Sequence, residues 1–562
     1  MRKCLRIVSG IGLSVFVAVI ALLVCVVIVA CIMHSNADML QPDDVIDKSS
    51  YQLDIHNDSL RVCGTNSIYM NNSGLWEVVL RGDALHRGAS YGAMAEDLLY
   101  YQEQVFVEQI HRLVPSDDYL SFLRFFLEIF NRHMADHVPV EFRKEIYAMA
   151  EFCSHQFDVF GTPYERQMHY HAAHDIGHMM QGFMLVGCSS CASWGECTDD
   201  GRLIVGRNFD FWMGDDFAKN RQVVFAFPEK GYKYASVSWP GMTGVVSGMN
   251  EKGLTVTLNA STGMIPTASA MPVAMLAKQI LMYAENIQQA YEIASENLTF
   301  VSESFLVSSA ADMRAVVIEK TPEAIGLYSP DGDNVVCTNH FQSDRLAMNE
   351  DNILNISSTD SKYRYDRMSE LIGKMRPLDR DDVVSVLRDR AGLGGKDIGL
   401  ANSMALNQSI ANHSVVFEPQ ELKMWVSTNP WQSGEFLCYD LKSVFSLDGV
   451  VQGSLASENL KIAADSVYIR NVYPDILAYR SMSAVIRNAV SGKDTIDDGV
   501  LDNFLKLNPQ FYETYSLTGD YYEMCKEFDL AVKYWKTALE KELPGVDYRN
   551  ELMKKIHRYD KK

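Results

Sequence analysis

The sequence predicts an α+β protein in which β-sheets are covered by layers of helix, with a separate α-helical segment at the carboxy end. Three observations predict it. From Ala93 to about His155, apolar side chains recur every three and four positions (Leu98, Val105, Ile110, Leu113, then Leu120, Leu123, Phe126, Ile129), the period of an amphipathic helix. From Cys188 to Tyr439 the texture changes to short aliphatic and aromatic runs bounded by turn residues, with two helical stretches between them. Strand runs flanked by helical runs argue for sheets packed against helix layers. The last eighty or so residues are helical in pattern alone.

Taken in order, residues 7–33 form an uncharged apolar run preceded by Arg2, Lys3 and Arg6. That run is long enough to span a bilayer, which takes roughly 20 apolar residues. The basic flank predicts an inside amino terminus with the body exported. Ile28-Val29-Ala30-Cys31 also fits a lipoprotein signal, so residues 1–33 read as a membrane anchor or a lipoprotein signal. Residues 34–73 are polar and read as a linker, followed by a strand from Trp76 to Arg81. Residues 74–187 form a mainly helical amino-terminal unit, and residues 188–445 form the β-rich core. Strands are expected at Val223–Phe227, Tyr234–Trp239, Thr243–Ser247, Leu254–Leu258, Phe305–Ser309, Ala315–Glu319, Val335–Thr338, Val415–Phe417, Met424–Ser427 and Phe436–Tyr439. Helical stretches are expected at Met271–Glu296 and Tyr363–Arg390. Residues 446–482 connect to the terminal helices, 483–562. There Tyr515, Gly519, Tyr522, Ala531, Trp535 and Ala538, with Pro544 beyond, sit at tetratricopeptide spacings. A single such unit cannot bury its own face, so it is expected to pack on neighbouring helices or on the core. A plain helical hairpin is the alternative.

The 562 residues carry 51 basic and 72 acidic side chains, a net charge of −21. This excludes the basic footprint of a nucleic-acid binder. Of eleven cysteines, Cys4, Cys25 and Cys31 fall in the leader, and the others are scattered without a disulfide rhythm.

The chemistry concentrates in Gly187-Cys188-Ser189-Ser190-Cys191-Ala192-Ser193-Trp194-Gly195 and Asp200-Gly201-Arg202-Leu203-Ile204-Val205-Gly206-Arg207-Asn208-Phe209-Asp210-Phe211. Two strands joined by the Asp199-Asp200-Gly201 turn would return Arg207 and Asp210 beside Cys188. A thiol, a cation and a carboxylate then share one place. The guanidinium favours the thiolate, which is the nucleophilic form.

This stretch resembles the autoproteolytic penicillin acyltransferase family, within the cysteine N-terminal-nucleophile hydrolases that include the choloylglycine and penicillin V hydrolases. The resemblance implies an αββα sandwich over roughly residues 74–445. It also implies self-cleavage of the Gly187–Cys188 bond, after which the new α-amino group of Cys188 serves as base; its pKa of about 7.7–8.0 suits neutral pH. Arg207 and Asp210 match the family's catalytic arginine and aspartate. Asn259, closing the hairpin after Asn250-Glu251-Lys252-Gly253, and Asn339 in Cys337-Thr338-Asn339-His340-Phe341 match its oxyanion-binding asparagines. Arg364, in Ser361-Lys362-Tyr363-Arg364-Tyr365-Asp366-Arg367, matches the arginine near the nucleophile, with Arg367 as the alternate.

The implied activity is a cysteine hydrolase or acyltransferase that cleaves a small-molecule linear carboxamide through a Cys188 thioester, with no cofactor. A bile-salt or penicillin V amidase keeps the same fold, but the long segment before Cys188 argues against it. Peptide ligation is a further chemistry open to the same thioester. A noncatalytic envelope scaffold binding a protein partner through the terminal helices would be expected to lack the nucleophile or its charged partners. Cys191 and Cys197, with His169, His171, His174 and His178 upstream, raise a zinc alternative. No second paired ligand motif follows, and no metal is expected.

Overall fold

The computed structural model describes residues 39–57, 59–113, 116–179, 185–263 and 269–559. The anchor or lipoprotein reading of residues 1–33 lies outside the described residues. Among those described, no helix is long and apolar enough to cross a membrane.

In chain order the strands are β1 (Asp54–Asn57), β2 (Leu60–Cys63), β3 (Asn66–Met70), β4 (Trp76–Gly82), β5 (Leu185–Val186), β6 (Ser189–Ser193), β7 (Ile204–Trp212), β8 (Gln222–Pro228) and β9 (Tyr234–Ser238). They continue with β10 (Ser247–Asn250), β11 (Leu254–Ala260), β12 (Glu303–Ser309), β13 (Arg314–Lys320), β14 (Ile325–Tyr328), β15 (Asn334–Cys337), β16 (Ala411–Glu418), β17 (Lys423–Ser427) and β18 (Phe436–Asp440). An 11-stranded sheet runs β1-β2-β3-β4-β8-β9-β10-β11-β12-β13-β14. A 7-stranded sheet runs β15-β6-β7-β16-β17-β18, with β5 paired to β7. All neighbours are antiparallel except β4 and β8, which are parallel. That pairing requires the long helical crossover that residues 84–179 supply.

Period-two alternation sorts the side chains into layers. Val79, Phe225, Val237, Leu306 and Val317 of the large sheet meet Ala192, Val205, Val335, Val415 and Val426 of the small one in the central core. The opposite faces are covered by helices. Against β2–β4, Ile68, Val78 and Leu80 pack on Tyr91, Met94 and Leu98 of α1 (Ala84–Leu113). Against β11–β13, Val256, Phe305 and Ile318 pack on α2 (Val273–Tyr283) and α3 (Ile287–Glu296). Outside the small sheet, Ile204, Val336, Val416 and Trp425 pack on Met368 and Ile372 of α4 (Ser361–Met375) and on Val383 and Leu387 of α5 (Arg380–Leu387). The result is helix, sheet, sheet, helix: the αββα sandwich.

Several sequence expectations need correction. Residues 54–70, inside the expected linker 34–73, are strands β1–β3, because Leu60, Val62, Cys63 and Ile68 are buried against α1 and β4. The strand expected at Thr243–Ser247 starts only at Ser247. The helix expected over 271–296 breaks at Ala284, where Asn286 caps the second part by accepting from the Gln289 N–H. The stretch 363–390 divides at Arg376–Pro377, since proline cannot continue the helical hydrogen bonds. The division at 482/483 falls inside α6 (Tyr473–Gly492).

Beyond the sandwich, α7 (Tyr512–Met524) and α8 (Phe528–Leu539) form a helical hairpin, and α9 (Val546–Tyr559) packs on it. Gly519 lies so close to the Trp535 ring that a Cβ there would come within 2.5 Å of it. This unit is seated on the body. Asn508 exchanges two hydrogen bonds with the main chain of Leu400 (2.8 and 3.0 Å), and Tyr468 and Ile476 pack with Trp431 and Ala411.

Candidate active site

The β6–β7 hairpin builds the centre. Its register sets Ser190 opposite Arg207 and Ser189 opposite Asn208, and the Gly187 N–H donates to the Asp210 carbonyl at 3.0 Å. Cys188 therefore sits just before β6, across from the end of β7 that holds Phe209. Alternation along β7 sends Arg207, Phe209 and Phe211 to one face and Asn208 and Asp210 to the other. Arg207 and Asp210 thus extend from opposite faces of the strand beside Cys188.

On the thiol side, Arg207 Nη2 stands 3.5 Å from Cys188 Sγ. The same guanidinium donates to the Val246 carbonyl (2.8 Å), to Ser247 Oγ (2.5 Å) and to the Leu258 carbonyl, and lies over the Phe209 ring. These bonds tie it to β10 and β11 of the large sheet. Ser247 Oγ is 2.9 Å from His413 Nε2, and His413 Nδ1 is 3.1 Å from Asn412 Oδ1. Burial, then the charges of Arg207 and Arg221, hold His413 well below its ordinary pKa. The ring is therefore neutral and adds no second cation beside Arg207.

Burial raises the Cys188 thiol above its ordinary pKa, and Arg207 opposes the rise. The thiol is 1% exposed and belongs to the same apolar cluster as Phe209, Phe211, Trp239 and Met242.

On the main-chain side, Arg364 of α4 is the hub. Its Nη1 donates to the Cys188 carbonyl (2.7 Å) and to Ser189 Oγ (2.9 Å). Its Nη2 donates to Asn339 Oδ1 (2.6 Å) and Asp360 Oδ1 (3.1 Å). Arg367, the alternate, is turned away and paired with Asp389 and Glu370. Asn339 Nδ2 donates to the Ala260 carbonyl at 2.8 Å. Asn259 is linked more remotely: its Nδ2 donates to the Cys337 carbonyl (2.9 Å), and its Oδ1 accepts from Ser190 Oγ (3.1 Å). Both asparagine amides are engaged in joining strands in this uncut chain.

Asp210 is fully buried, and burial pushes its carboxyl up to about 8 against the pull of Arg364 and Arg207. Among the described residues its Oδ1 has no hydrogen-bond partner. Its Oδ2 lies 3.4 Å from Gln408 Nε2, which also donates to the Gly187 carbonyl at 2.8 Å. Gln408, Ser247 and His413 carry no sequence signal of their own. They reach the hairpin from 221, 40 and 166 positions away from Gly187, Arg207 and Ser247 respectively.

Both cysteines that raised the zinc alternative are buried. Cys191 faces the helix layer beside Gly206, and burial pushes its thiol up to about 12. Cys197 is buried beside the Thr198–Leu378 bridge. His171 contacts the Gln167 carbonyl through Nδ1 (2.7 Å) and the Thr243 N–H through Nε2 (3.0 Å). The side chains of His174 and His178 lie outside those described. Among the described residues, no three metal-ligating side chains converge.

Comparison with known proteins returns the same kinship. Residues 197–429 match the family described as acyl-coenzyme A:6-aminopenicillanic acid acyl-transferase, starting after Cys188. An uncharacterized protein of Archaeoglobus fulgidus is 22% identical over 282 residues, which cover 44% of this chain and 45% of the relative. The chain thus spans about half the length of that relative. Among solved structures, a Caenorhabditis elegans ortholog of N-acylethanolamine-hydrolyzing acid amidase is 18% identical, covering 42% of this chain and 93% of its own, with a TM-score of 0.29. A variant of the conjugated bile acid hydrolase from Clostridium perfringens is 14% identical, covering 49% and 99%, with a TM-score of 0.32. The match of residues 197–429 to the acyl-coenzyme A:6-aminopenicillanic acid acyl-transferase family is the similarity to which the Gly187–Phe211 motifs pointed.

Proposed function

We propose that this chain is a self-processing cysteine hydrolase or acyltransferase that acts on a small-molecule carboxamide. The observation that carries the reading is that a guanidinium and a buried carboxyl flank Cys188 from two sides. Arg207 stands at the Cys188 thiol, and the buried Asp210 carboxyl lies on the main-chain side, near Gly187. Cleavage of Gly187–Cys188 creates an α-ammonium there, the cation that an acidic group in this burial requires.

In the first stage Sγ adds to the Gly187 carbonyl carbon, the C–N bond breaks and the nitrogen takes up the thiol proton, giving a thioester. Water then displaces sulfur and leaves a carboxylate at Gly187 and a free amino terminus at Cys188. In catalysis that amine removes the thiol proton, sulfur attacks the substrate carbonyl, and the amine returns the proton to the departing nitrogen. Water or an acceptor amine resolves the second thioester. Arg207 favours the thiolate, Arg364 fixes the Cys188 carbonyl, and Asp210 holds the ammonium form. Once freed of their strand contacts, Asn259 and Asn339 would supply amide donors to the oxyanion. The apolar cluster around Cys188 favours an apolar acyl group. Envelope tethering through residues 1–33 and a tetratricopeptide-type partner site on α7 and α8 are part of the same reading.

The test is a panel of N-acyl amino acids, bile-salt conjugates and penicillins offered to wild type and Cys188→Ala. Turnover of at least one amide class by wild type, lost by a factor of 10³ or more in the variant, is the expected result. Equal activity in both proteins would end the Cys188 assignment, and no turnover of any amide would favour the scaffold reading.

A further inference from the structure

We propose that Gln408 is the donor that stabilises the Gly187 oxyanion during self-cleavage, and that Tyr468 and Arg480, outside the sandwich, are positioning residues that aim it. The inference rests on the self-processing reading above.

Gln408 is 3% exposed, and its Nε2 is directed at the carbonyl that must become an oxyanion, 2.8 Å away. The fit is tight. A Cβ on Gly187 would come within 2.5 Å of Nε2, so glycine is the residue that lets the amide reach the carbonyl. The other polar side chains of the centre are committed elsewhere in the uncut chain: Asn259 to Cys337, Asn339 to Ala260 and Arg364 to the Cys188 carbonyl. When Sγ adds to the carbonyl carbon, the carbonyl π pair moves to oxygen. The Nε2–H···O bond then becomes charge-assisted and strengthens, which is the condition for lowering a barrier rather than merely binding. Removing one such donor typically costs about 10²–10³ in rate.

The aim of Gln408 depends on its neighbour. Ser409 has φ of +57°, a left-handed conformation that a residue with a Cβ keeps only where its surroundings impose it. Here they do. Ser409 Oγ is 2.7 Å from Tyr468 Oη, and the Ser409 carbonyl accepts from Arg480 Nη2 at 2.6 Å. Arg480 is held in turn over the Trp431 ring. Tyr468 and Arg480 both follow residue 445, beyond the matched family region, so the carboxy-terminal helices act on the cleavage chemistry through Ser409.

The experiment is pulse-chase cell-free translation of the full chain, with cleavage followed by intact mass and folding by thermal melting. Gln408→Glu, which keeps the shape and replaces the donor by an acceptor, should slow appearance of the chain beginning at Cys188 by about 10²-fold. If that variant misfolds, Gln408→Asn, whose amide is one methylene shorter, must also accumulate uncut chain. Tyr468→Phe combined with Arg480→Met should slow cleavage several-fold, with partial rescue by Arg480→Lys. Ile486→Ala, which opens a cavity in the same helical unit without touching Ser409, should leave the rate near wild type. Wild-type cleavage rates in folded Gln408→Glu or Gln408→Asn would overturn the donor assignment. Equal slowing by Ile486→Ala would overturn the positioning role. A wild-type chain that never cleaves, like Cys188→Ala, would instead bring down the self-processing reading itself.

Discussion

Asp210 shows most clearly how a single buried group ties stability to chemistry. Its carboxyl is fully buried, Oδ1 lacks a hydrogen-bond partner among the described residues, and burial pushes the group up to about 8. The unfolded value is about 3.9. Between these two values the unfolded chain has released its proton while the folded one keeps it, so the group makes the uncut fold lose stability as pH rises from about 4 to about 8. In the uncleavable Cys188→Ala background, Asp210→Asn should therefore gain stability relative to its parent as pH is raised from 5 to 8. Urea unfolding at both pH values checks this. A constant difference would mean that the carboxyl is not held protonated. The Cys188, Arg207 and Asp210 cluster was legible in the sequence because it is local: one hairpin with one turn brings the three together. What spacing concealed is the division of labour, with alternation on β7 sending Arg207 to the thiol and Asp210 to the backbone side. Gln408 and His413 were illegible, since their contacts depend on how β16 and the loop before it dock against strands far away in sequence.

At the scale of elements, the helices that precede Cys188 are locked to the body by buried charge. Glu145, on the helix Val140–Ala150, pairs with Arg87 of α1 at 2.7 Å and with Lys278 of α2 at 3.0 Å. Glu145 stays ionised: although burial opposes it, the two cations draw its carboxyl down to about 2. Glu145→Ala would remove the carboxylate shared by two buried cations, leaving Lys278 unpaired and Arg87 with only its 3.5 Å ion pair to Glu141 among the described residues, a loss of about 3–5 kcal/mol. The expected outcome is a lower unfolding midpoint in urea, and, in cleaved protein, release of the segment ending at Gly187 at lower denaturant than in wild type. Retained association at wild-type denaturant would show that this network does not hold the two pieces together. The helices of this segment were legible by their three-and-four spacing, and most strands by their β-branched runs. The strands β1–β3 were not, because short polar segments become strands only when a neighbouring edge pairs with them.

For the whole molecule, the two sheets hold different parts of one centre. The small sheet supplies Cys188, Arg207 and Asp210, while the large sheet fixes the far side of the Arg207 guanidinium through Val246, Ser247 and Leu258. The helix layer contributes Arg364, and the carboxy-terminal unit reaches the centre through Ser409. The sandwich was legible only through the family resemblance, since periodicity reveals sheets and helices but not which sheet faces which. Self-processing at Gly187–Cys188 is measured most directly by intact mass with amino-terminal sequencing of the purified, active wild-type protein. Two chains held together, the second beginning at Cys188, are expected, with a single uncut chain for Cys188→Ala. A fully active protein with the Gly187–Cys188 bond intact would contradict it.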